Sequence, residues 1–267
     1  MGIVTQPASL ATPTNSLERA LKLLEIIAHR SEGYTNSDLS HKLGIPTSSC
    51  SYMLSRLTRE GYLKRANDGR YTIGLKSLIL SHAALRSIGF RPFSEPVLYK
   101  IVEDTRLAAN VGVLQGGRVL LIDRLESPNA VSDVSFIPRE LRDIGIELDA
   151  HTTALGKVLL AALHEDELSD VIRRHGLERK TPKTIVGESE LRAELKRVRT
   201  RGFSRVMDEH YKGFWSIGAP ISDAAGVTRA AVSLSGTPED PAWQNPDELA
   251  RRVIQAGRDI SRSMRLR

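Results

Sequence analysis

Cysteine is almost absent from this chain of 267 residues, in which Cys50 stands alone. One cysteine excludes an internal disulfide and leaves no thiol cluster for a metal or redox centre. Long apolar runs are also absent, since none approaches the roughly 20 residues that span a bilayer. The first fifteen residues lack the basic start and apolar core of a signal peptide. We therefore expect a cytoplasmic protein with no metal, no cofactor and no membrane partner.

Apolar content, by contrast, is sufficient for two cores. Hydrophobic residues make up 40% of the chain and charged residues 26%, which is ordinary for globular domains, and the length allows two of them. Residues 1–15, rich in Thr, Pro and Ala, are expected to be a disordered leader. The pattern then indicates a small domain over 16–74, a linker helix over 75–89 and a larger domain over 90–267.

The small domain begins with two predicted helices. Apolar residues recur at spacings of three and four over residues 16–30, which predicts an amphipathic helix whose start Ser16 caps. A second helix begins near Thr35, because Thr35 and Asp38 have the spacing of a capping box. It ends at Gly44, which can adopt the left-handed conformation that terminates a helix.

A third predicted helix runs from Pro46 to Gly61 and is amphipathic. Its buried face carries apolar side chains at helical spacing, namely Cys50, Met53, Leu54 and Leu57. Residues 62–65 and 70–73 form two strands joined by an Asn-Asp-Gly turn. Helix, helix, turn, helix and hairpin is the order of a winged helix-turn-helix, a fold that lays one helix into the major groove of DNA.

Basic charge coincides with this segment. The first 76 residues hold ten Lys/Arg and six Asp/Glu, so +4 of the formal net charge of +6 lies there. Hydroxyl groups and arginines on the outer face of the third helix suit phosphates and base edges. The candidate DNA-binding residues are Ser16, Arg19, Ser37, Thr47, Ser48, Ser49, Ser51, Tyr52, Arg56, Arg65 and Arg70. The alternative is a winged helix that binds protein and whose charges are only solvated.

The larger domain has the pattern of an α+β sensor domain, with antiparallel strands flanked by helices. A chain break with two prolines is predicted over 89–96. Helices are predicted over 75–87, 96–108, 165–175, 188–201 and 246–264, and a further helix, capped by Thr152 or Thr153, reaches residue 163. Strands are predicted over 111–114, 119–123, 131–137, 203–207, 215–221 and 227–235.

Reactive residues of the larger domain form no catalytic or metal motif. His151 and His210 lack the HxxxH or HxH spacing of a metal site, which favours structural histidines. Ser233 has no nucleophile-elbow context, and the Gly116-Gly117 pair opens no helix that could cradle a phosphate. We expect no catalytic residue and no enzyme; the alternative is an enzymatic domain attached to a winged helix.

Several ordered motifs closely resemble those of the IclR family of bacterial transcription regulators over nearly the whole chain. The N-terminal motifs are Ser16-Leu-Glu-Arg-Ala-Leu-Lys-Leu-Leu-Glu, Leu43-Gly-Ile-Pro, Glu60-Gly-Tyr-Leu-Lys-Arg and Gly69-Arg-Tyr-Thr-Ile-Gly. The C-terminal motifs are His151-Thr-Thr-Ala-Leu-Gly-Lys-Val-Leu-Leu-Ala, Thr181-Pro-Lys-Thr-Ile, Val198-Arg-Thr-Arg-Gly-Phe, Asp208-Glu, Gly218-Ala-Pro-Ile and Ser233-Leu-Ser-Gly.

This resemblance implies a winged-helix domain, a linker helix and a GAF-like effector-binding domain. It also implies homodimers, often paired into homotetramers, on double-stranded DNA with a palindromic operator. The resemblance places the effector site at Leu148, Ala154, Leu155, Val206, Ser216, Ser233 and Ser235. The chain departs from acid-binding relatives at Val206, where an Asp is expected, and at Ser216, where a Cys is expected. In the third helix, Tyr52 and Arg56 replace an Arg and a Thr, so the operator sequence does not transfer.

These departures favour a small carboxylate with an apolar body, such as an aromatic acid, over a two-carbon acid. Backbone N–H groups that follow Thr153, at the start of a helix, can hold the anion. Val206, in place of the expected Asp, removes a charge and adds apolar surface to the site. Ser233 and Ser235 are two residues apart on one strand, so their side chains lie on the same face. The alternative is that these serines only satisfy strand backbone groups. Whether the effector releases or strengthens DNA binding stays open.

Overall fold

The computed structural model describes residues 15–89, 91–127 and 143–265. The predicted leader up to residue 14 and the predicted strand over 131–137 lie outside these ranges. Contacts divide the chain into two compact units, with the boundary between Ile88 and Gly89. The predicted fold class is confirmed, because a helix-turn-helix unit with a hairpin precedes an α+β unit.

The first unit is a winged helix-turn-helix. Its elements are α1 (Ser16–Ala28), α2 (Asn36–Leu43), α3 (Thr47–Arg59), β1 (Leu63–Arg65), β2 (Tyr71–Ile73) and α4 (Lys76–Ile88). The capping box of Thr35 and Asp38 is present, and Gly44 ends α2 with a φ of 63°. Leu23, Leu39 and Leu54, one from each helix, are fully buried in the small core between them.

The start of α1 corrects one prediction. Ser16 is the first helical residue and does not cap the helix, since the side chain of Asn15 accepts a hydrogen bond from the backbone N–H of Glu18 at 2.9 Å. A capping residue must itself be extended, with its side chain aimed at the free N–H groups of the first turn. Asn15 has that conformation and is one position earlier than predicted.

The second unit is built on a six-stranded antiparallel sheet in the order β5-β4-β3-β8-β7-β6. Its strands are β3 (Ala108–Gln115), β4 (Arg118–Leu125), β5 (Glu147–Leu148), β6 (Ser204–Met207), β7 (Trp215–Ser222) and β8 (Thr228–Gly236). Its helices are α5 (Arg91–Thr105), α6 (Ala154–Ala161), α7 (Glu165–His175), α8 (Glu188–Arg201) and α9 (Pro246–Arg265). The short β5 was not predicted.

Helices cover the two faces of this sheet. A Cβ at Gly218 would meet the backbone of Ala154 in α6 at 3.2 Å, whereas the next residue, Ala219, faces Gly257 of α9. Successive residues of a strand point to opposite faces, so α6 lies on one face and α9 on the other. Helix α5 contacts α9 and the strands β3 and β4.

The start of α5 differs from the prediction, which placed a break over 89–96 and the helix only after it. The helix begins at Arg91 and contains Pro96. The first four N–H groups of a helix have no intrahelical acceptor, so a proline at the sixth position removes a single bond. Burial of Ser94, whose hydroxyl donates to Asp123 at 2.7 Å, and of Leu98 anchors the helix across the proline.

Candidate functional site

The outer face of α3 is the first candidate site. Ser48, Ser49, Ser51 and Tyr52 are exposed on it, together with Arg56. Among the other candidate DNA-binding residues, those that are exposed are Ser16, Ser37, Thr47 and Arg65, and those that are half-buried are Arg19 and Arg70. All of them lie in the first unit.

Three arginines of this surface are held by neighbours. The Arg56 guanidinium lies over the ring of Tyr52, with 5.0 Å between its Cζ and the ring centroid. Arg65 lies over Tyr71 in the same way, at 5.7 Å. In the hairpin, Arg70 pairs with Asp68 at 3.4 Å and donates to the carbonyl of Gly33 at 3.4 Å. Arg56 therefore extends from the helix on an aromatic support, while Arg70 is tied to the wing.

The second candidate site is a cleft in the second unit, called here the sheet cavity, with about 590 Å³ of space that opens in part to solvent. All eight residues expected at an effector site line it, namely Leu148, Thr153, Ala154, Leu155, Val206, Ser216, Ser233 and Ser235. Seven further residues complete the wall, namely Asn110, Leu121, Arg124, Thr152, His210, Tyr211 and Phe214. The prediction missed these seven.

Polar side chains form a row across four strands of the sheet. Arg124 on β4 is opposite Asn110 on β3, which is opposite Ser233 on β8. Two residues further along β8, Ser235 is opposite Ser216 on β7. Residues directly opposite one another share a face, so these side chains line one floor.

A β-bulge places Arg124 in this row. Val111 pairs with Asp123 while the next residue, Gly112, pairs with Leu121, which leaves Ile122 as an extra residue on β4. In a regular strand, Leu121 and a residue three positions later would point to opposite faces. The extra residue shifts the alternation, so both Leu121 and Arg124 face the sheet cavity.

Hydrogen bonds fix the polar row in place. Nη1 of Arg124 donates to Oδ1 of Asn110 at 2.6 Å, and Nδ2 of Asn110 donates to the hydroxyl of Ser235 at 3.0 Å. The Nε and Nη2 groups of Arg124 both donate to Oε1 of Glu126, at 3.2 and 2.5 Å. Three of the five guanidinium N–H groups are used in this way, so up to two remain for an anion in the cavity.

The start of α6 faces the same cavity. The Thr153 side chain caps the helix by accepting a hydrogen bond from the N–H of Gly156 at 3.1 Å. The N–H groups of Ala154 and Leu155, in the first turn, have no acceptor within the helix. A Cβ at Gly156 would lie 2.1 Å from the carbonyl oxygen of Ala150, so only glycine allows this close approach.

The loop that follows β6 supplies the remaining wall. Asp208 has a φ of 62°, and its carboxylate accepts from the N–H of Gly213 at 2.8 Å. Asp is one of the few residues that tolerates this left-handed conformation. The tight turn brings His210, Tyr211 and Phe214 into the cavity wall.

His210 is held from two sides. Its Nδ1 lies 2.8 Å from the hydroxyl of Thr152, and its ring packs edge-to-face on Tyr211 with 4.7 Å between centroids. Burial lowers the pKa of His210 to about 4, although the carboxylate of Asp149 opposes this shift. The ring is therefore neutral at pH 7.

A buried ion pair joins α6 to this loop. Nζ of Lys157 donates to both carboxylate oxygens of Glu209, at 2.6 and 2.7 Å, and the Lys157 side chain is 1% exposed. Burial raises the pKa of Glu209, although Lys157 opposes the shift. The hydroxyl of Thr184 donates to the Glu209 carbonyl at 2.7 Å. Glu209 is next to His210, so the pair fixes the loop against the helix that lines the cavity.

No group of three or more His, Cys, Asp or Glu side chains that could hold a metal ion occurs within residues 15–89, 91–127 and 143–265. In the same ranges, no helix is long and apolar enough to cross a membrane.

Comparison with known proteins identifies the family to which both units belong. A family model for the C-terminal region of the bacterial transcriptional regulator IclR matches residues 82–262, and the model of the IclR helix-turn-helix domain matches residues 16–66. The acetate operon repressor of Salmonella typhimurium is 27% identical over 263 residues, which cover 96% of this chain and 93% of that protein. The Pca regulon regulatory protein of Pseudomonas putida is 31% identical over 221 residues, with 82% and 73% covered.

A solved structure has the same fold. An IclR homologue from Microbacterium hydrocarbonoxydans, crystallised in complex with 4-hydroxybenzoate, superimposes with a TM-score of 0.78 at 22% identity. The match covers 95% of this chain and 100% of that chain.

Proposed function

The chain belongs to the IclR family of bacterial transcriptional regulators, and from that premise we propose that a small carboxylate with an apolar body controls its binding to a palindromic operator. DNA binding through a helix-turn-helix and an effector-binding C-terminal domain follow from the family. The known relatives are transcriptional regulators, which argues against an enzyme.

The arrangement of α3 and the wing supports operator reading by the first unit. Small, hydroxyl-bearing side chains on α3 let a helix approach base edges, and Arg56 can reach a guanine or a phosphate. Arg70, on the wing, suits a phosphate contact. One such helix covers only a half-site, so we infer that two copies of the chain bind a palindrome together.

One observation carries the effector proposal: a helix N-terminus and a guanidinium face the same cavity, and apolar side chains form another part of its wall. The free N–H groups at the start of α6 and the remaining N–H groups of Arg124 both favour an anion. The apolar wall consists of Leu121, Leu148, Leu155, Val206 and Phe214. A body of ring or alkyl carbon gains more from such walls than a two-carbon acid does.

A fold neighbour supports the aromatic alternative within this class. The homologue from Microbacterium hydrocarbonoxydans was crystallised with 4-hydroxybenzoate, an aromatic acid. Effector binding should change operator affinity, and by reciprocity the operator should change effector affinity by the same factor.

Calorimetry of the full chain tests the effector class with glyoxylate, pyruvate, hexanoate, benzoate and benzamide. We expect benzoate to bind more tightly than the two short acids, and to lose affinity when benzamide replaces its charge. The double variant Ser216→Ala, Ser235→Ala should bind benzoate about tenfold more weakly, as expected when two hydrogen-bonding groups are lost. Ser169→Ala, which removes an exposed hydroxyl on α7, is the matched control.

Two outcomes would contradict the proposal. Tight binding of glyoxylate or pyruvate with none of benzoate would rule out the apolar body. Equal binding of benzoate and benzamide would rule out the carboxylate.

A further inference from the structure

His210 has a feature that the carboxylate proposal does not use. It lines the sheet cavity, and its Nδ1 is engaged by Thr152. Within the described part of the chain, Nε2 of His210 has no hydrogen-bond partner. It is also absent from the fully buried side-chain atoms without a partner, so part of its surface is accessible. Nε2 is therefore not fully buried, and it belongs to a side chain in the wall of the cavity in which an effector would bind.

The hydrogen bonds of Thr152 decide which ring nitrogen carries the proton. The Thr152 hydroxyl donates to the carbonyl oxygen of Asp149 at 3.0 Å, which uses its single proton. Its oxygen also lies 2.8 Å from Nδ1 of His210, so Nδ1 must donate for both contacts to exist. A neutral imidazole protonated at Nδ1 has a bare lone pair at Nε2.

One further contact and the burial of the ring hold this arrangement. The edge-to-face contact with Tyr211 fixes the orientation of the ring. Burial keeps the pKa of His210 near 4, so protonation of Nε2 does not compete at neutral pH. The wall at His210 is thus an acceptor, whereas Arg124 and the start of α6 are donors.

We propose that the effector carries a hydroxyl group on its apolar body and that this hydroxyl donates a hydrogen bond to Nε2 of His210. The inference rests on the proposed function and narrows it to a hydroxylated acid, with a phenolic acid as the class that matches an apolar wall. A ligand that lacks the donor leaves the acceptor unpaired in a desolvated wall, which is the origin of discrimination.

The tautomer can be measured without any ligand. In full-length protein labelled with ¹⁵N-histidine, long-range ¹H–¹⁵N spectra at pH 7 distinguish a protonated from a bare ring nitrogen, and the variant His210→Gln assigns the signals. We expect a protonated Nδ1 and a bare Nε2. Thr152→Val should shift the ring toward the other tautomer. Thr200→Val is the matched control, because this hydroxyl donates to the Lys196 carbonyl on α8, away from the cavity. A protonated Nε2 in the wild-type protein overturns the proposal.

Calorimetry then tests the ligand with matched compounds: benzoate, the three monohydroxybenzoates, the three methoxybenzoates, phenol and anisole. A methoxy group can accept a hydrogen bond but cannot donate one. We expect at least one hydroxybenzoate to bind about tenfold more tightly than its methoxy partner, the effect of one hydrogen bond to a desolvated acceptor. His210→Phe should bring that ratio close to one, and Thr200→Val should leave it unchanged.

The outcomes separate the two proposals. Three results overturn the hydroxyl inference. The affinity of each hydroxybenzoate relative to its methoxy partner is near one for all three isomers, the preference for the hydroxyl persists in His210→Phe, or no compound binds. If phenol exceeds anisole and the advantage depends on His210, while benzoate binds no more tightly than anisole, the hydroxyl inference stands and the carboxylate proposal is wrong.

Discussion

Lys157 and Glu209 do not line the sheet cavity, but their ion pair joins two parts of its wall. Lys157 belongs to α6, whose first turn faces the cavity, and Glu209 precedes His210 on the loop after β6. Their contacts of 2.6 and 2.7 Å join these two parts of the wall in a buried environment. Charges removed from water are stable there only as a pair.

Removal of one partner should therefore be costly. We expect Lys157→Met to lower the free energy of unfolding by about 3–5 kcal/mol at pH 7, because Glu209 is left buried and charged. Urea denaturation measures this difference. The double variant Lys157→Met, Glu209→Leu should recover most of the stability, since a packed apolar pair replaces an ionic one. Arg173→Met, which removes an exposed pair with Asp170, should change stability by less than about 0.5 kcal/mol.

The same variant should show a defined pH dependence. Burial raises the pKa of Glu209 in the folded state, so its protonated form favours folding and this contribution is lost as pH rises through the folded pKa. Without Lys157 to oppose the shift, the deficit of Lys157→Met should shrink as pH falls from 7 towards 5. A deficit that is constant over this range would contradict a buried carboxylate as its cause.

At the level of residues, the sequence located part of the sheet cavity. The family pattern gave seven wall positions and the predicted helix start gave Thr153, but Asn110, Arg124 and His210 were missed. Simple alternation from Leu121 turns Arg124 away from the cavity, and only the cross-strand register reveals the extra residue Ile122. His210 lacks the spacing of a metal ligand, and its place in the cavity could not be predicted because its contact with Thr152 joins residues 58 positions apart.

At the scale of elements, local signals predicted helices well when the helix carried its own start and stop. The capping box at Thr35 and the left-handed Gly44 are such signals, and the bounds of α2 follow from them. Helix α5 was misplaced because Pro96 is a local breaker, while the contacts that hold the helix across it, such as Ser94 with Asp123, are distant in sequence. Strand β5 has only two residues, too few for any periodic pattern.

Helix α3 and the wing should contribute differently to operator binding. If Arg56 reads a base, Arg56→Ala should cost about 1–3 kcal/mol on the operator and reduce discrimination at one base position. Arg70→Ala should weaken binding about equally on all sequences and lower the salt dependence, as a phosphate contact does. Gel retardation at fixed salt on the operator and on a scrambled duplex separates these results.

Lys183→Ala, an exposed basic residue of the second unit, controls for general loss of charge. Unchanged operator affinity and an unchanged footprint in Arg56→Ala would show that α3 does not read the operator through this residue.

At the scale of the whole molecule, α4 presents an apolar surface that the rest of the first unit does not cover. No residue of this helix is buried. Leu75, directly before the helix, and Leu78 and Ile79 within it lie at helical spacing and are 81%, 65% and 67% exposed. A contiguous apolar stripe of this kind is typical of a surface that another protein covers. We propose that a second copy of the chain covers this surface and supplies the second recognition helix that a palindromic operator needs.

Light scattering at micromolar concentration should therefore show at least a dimer. The double variant Leu78→Lys, Ile79→Lys should shift the protein toward the monomer, because like charges replace the apolar stripe, and should weaken operator binding as the second half-site is lost. Ala84→Lys adds a charge to an exposed position on the opposite side of α4 and should leave the mass unchanged. A monomeric wild-type protein would refute the shared role of this helix.

The bulge at Ile122 also has a genetic consequence. Loss of that one codon would restore regular alternation in β4 and still leave Arg124 on the face of Leu121, because the two residues would then be two positions apart. A related regulator that lacks this codon would thus keep a guanidinium in its pocket one position closer to the leucine. A sequence alignment that allows no gap in this strand would match that arginine to Asp123, on the other face of the sheet.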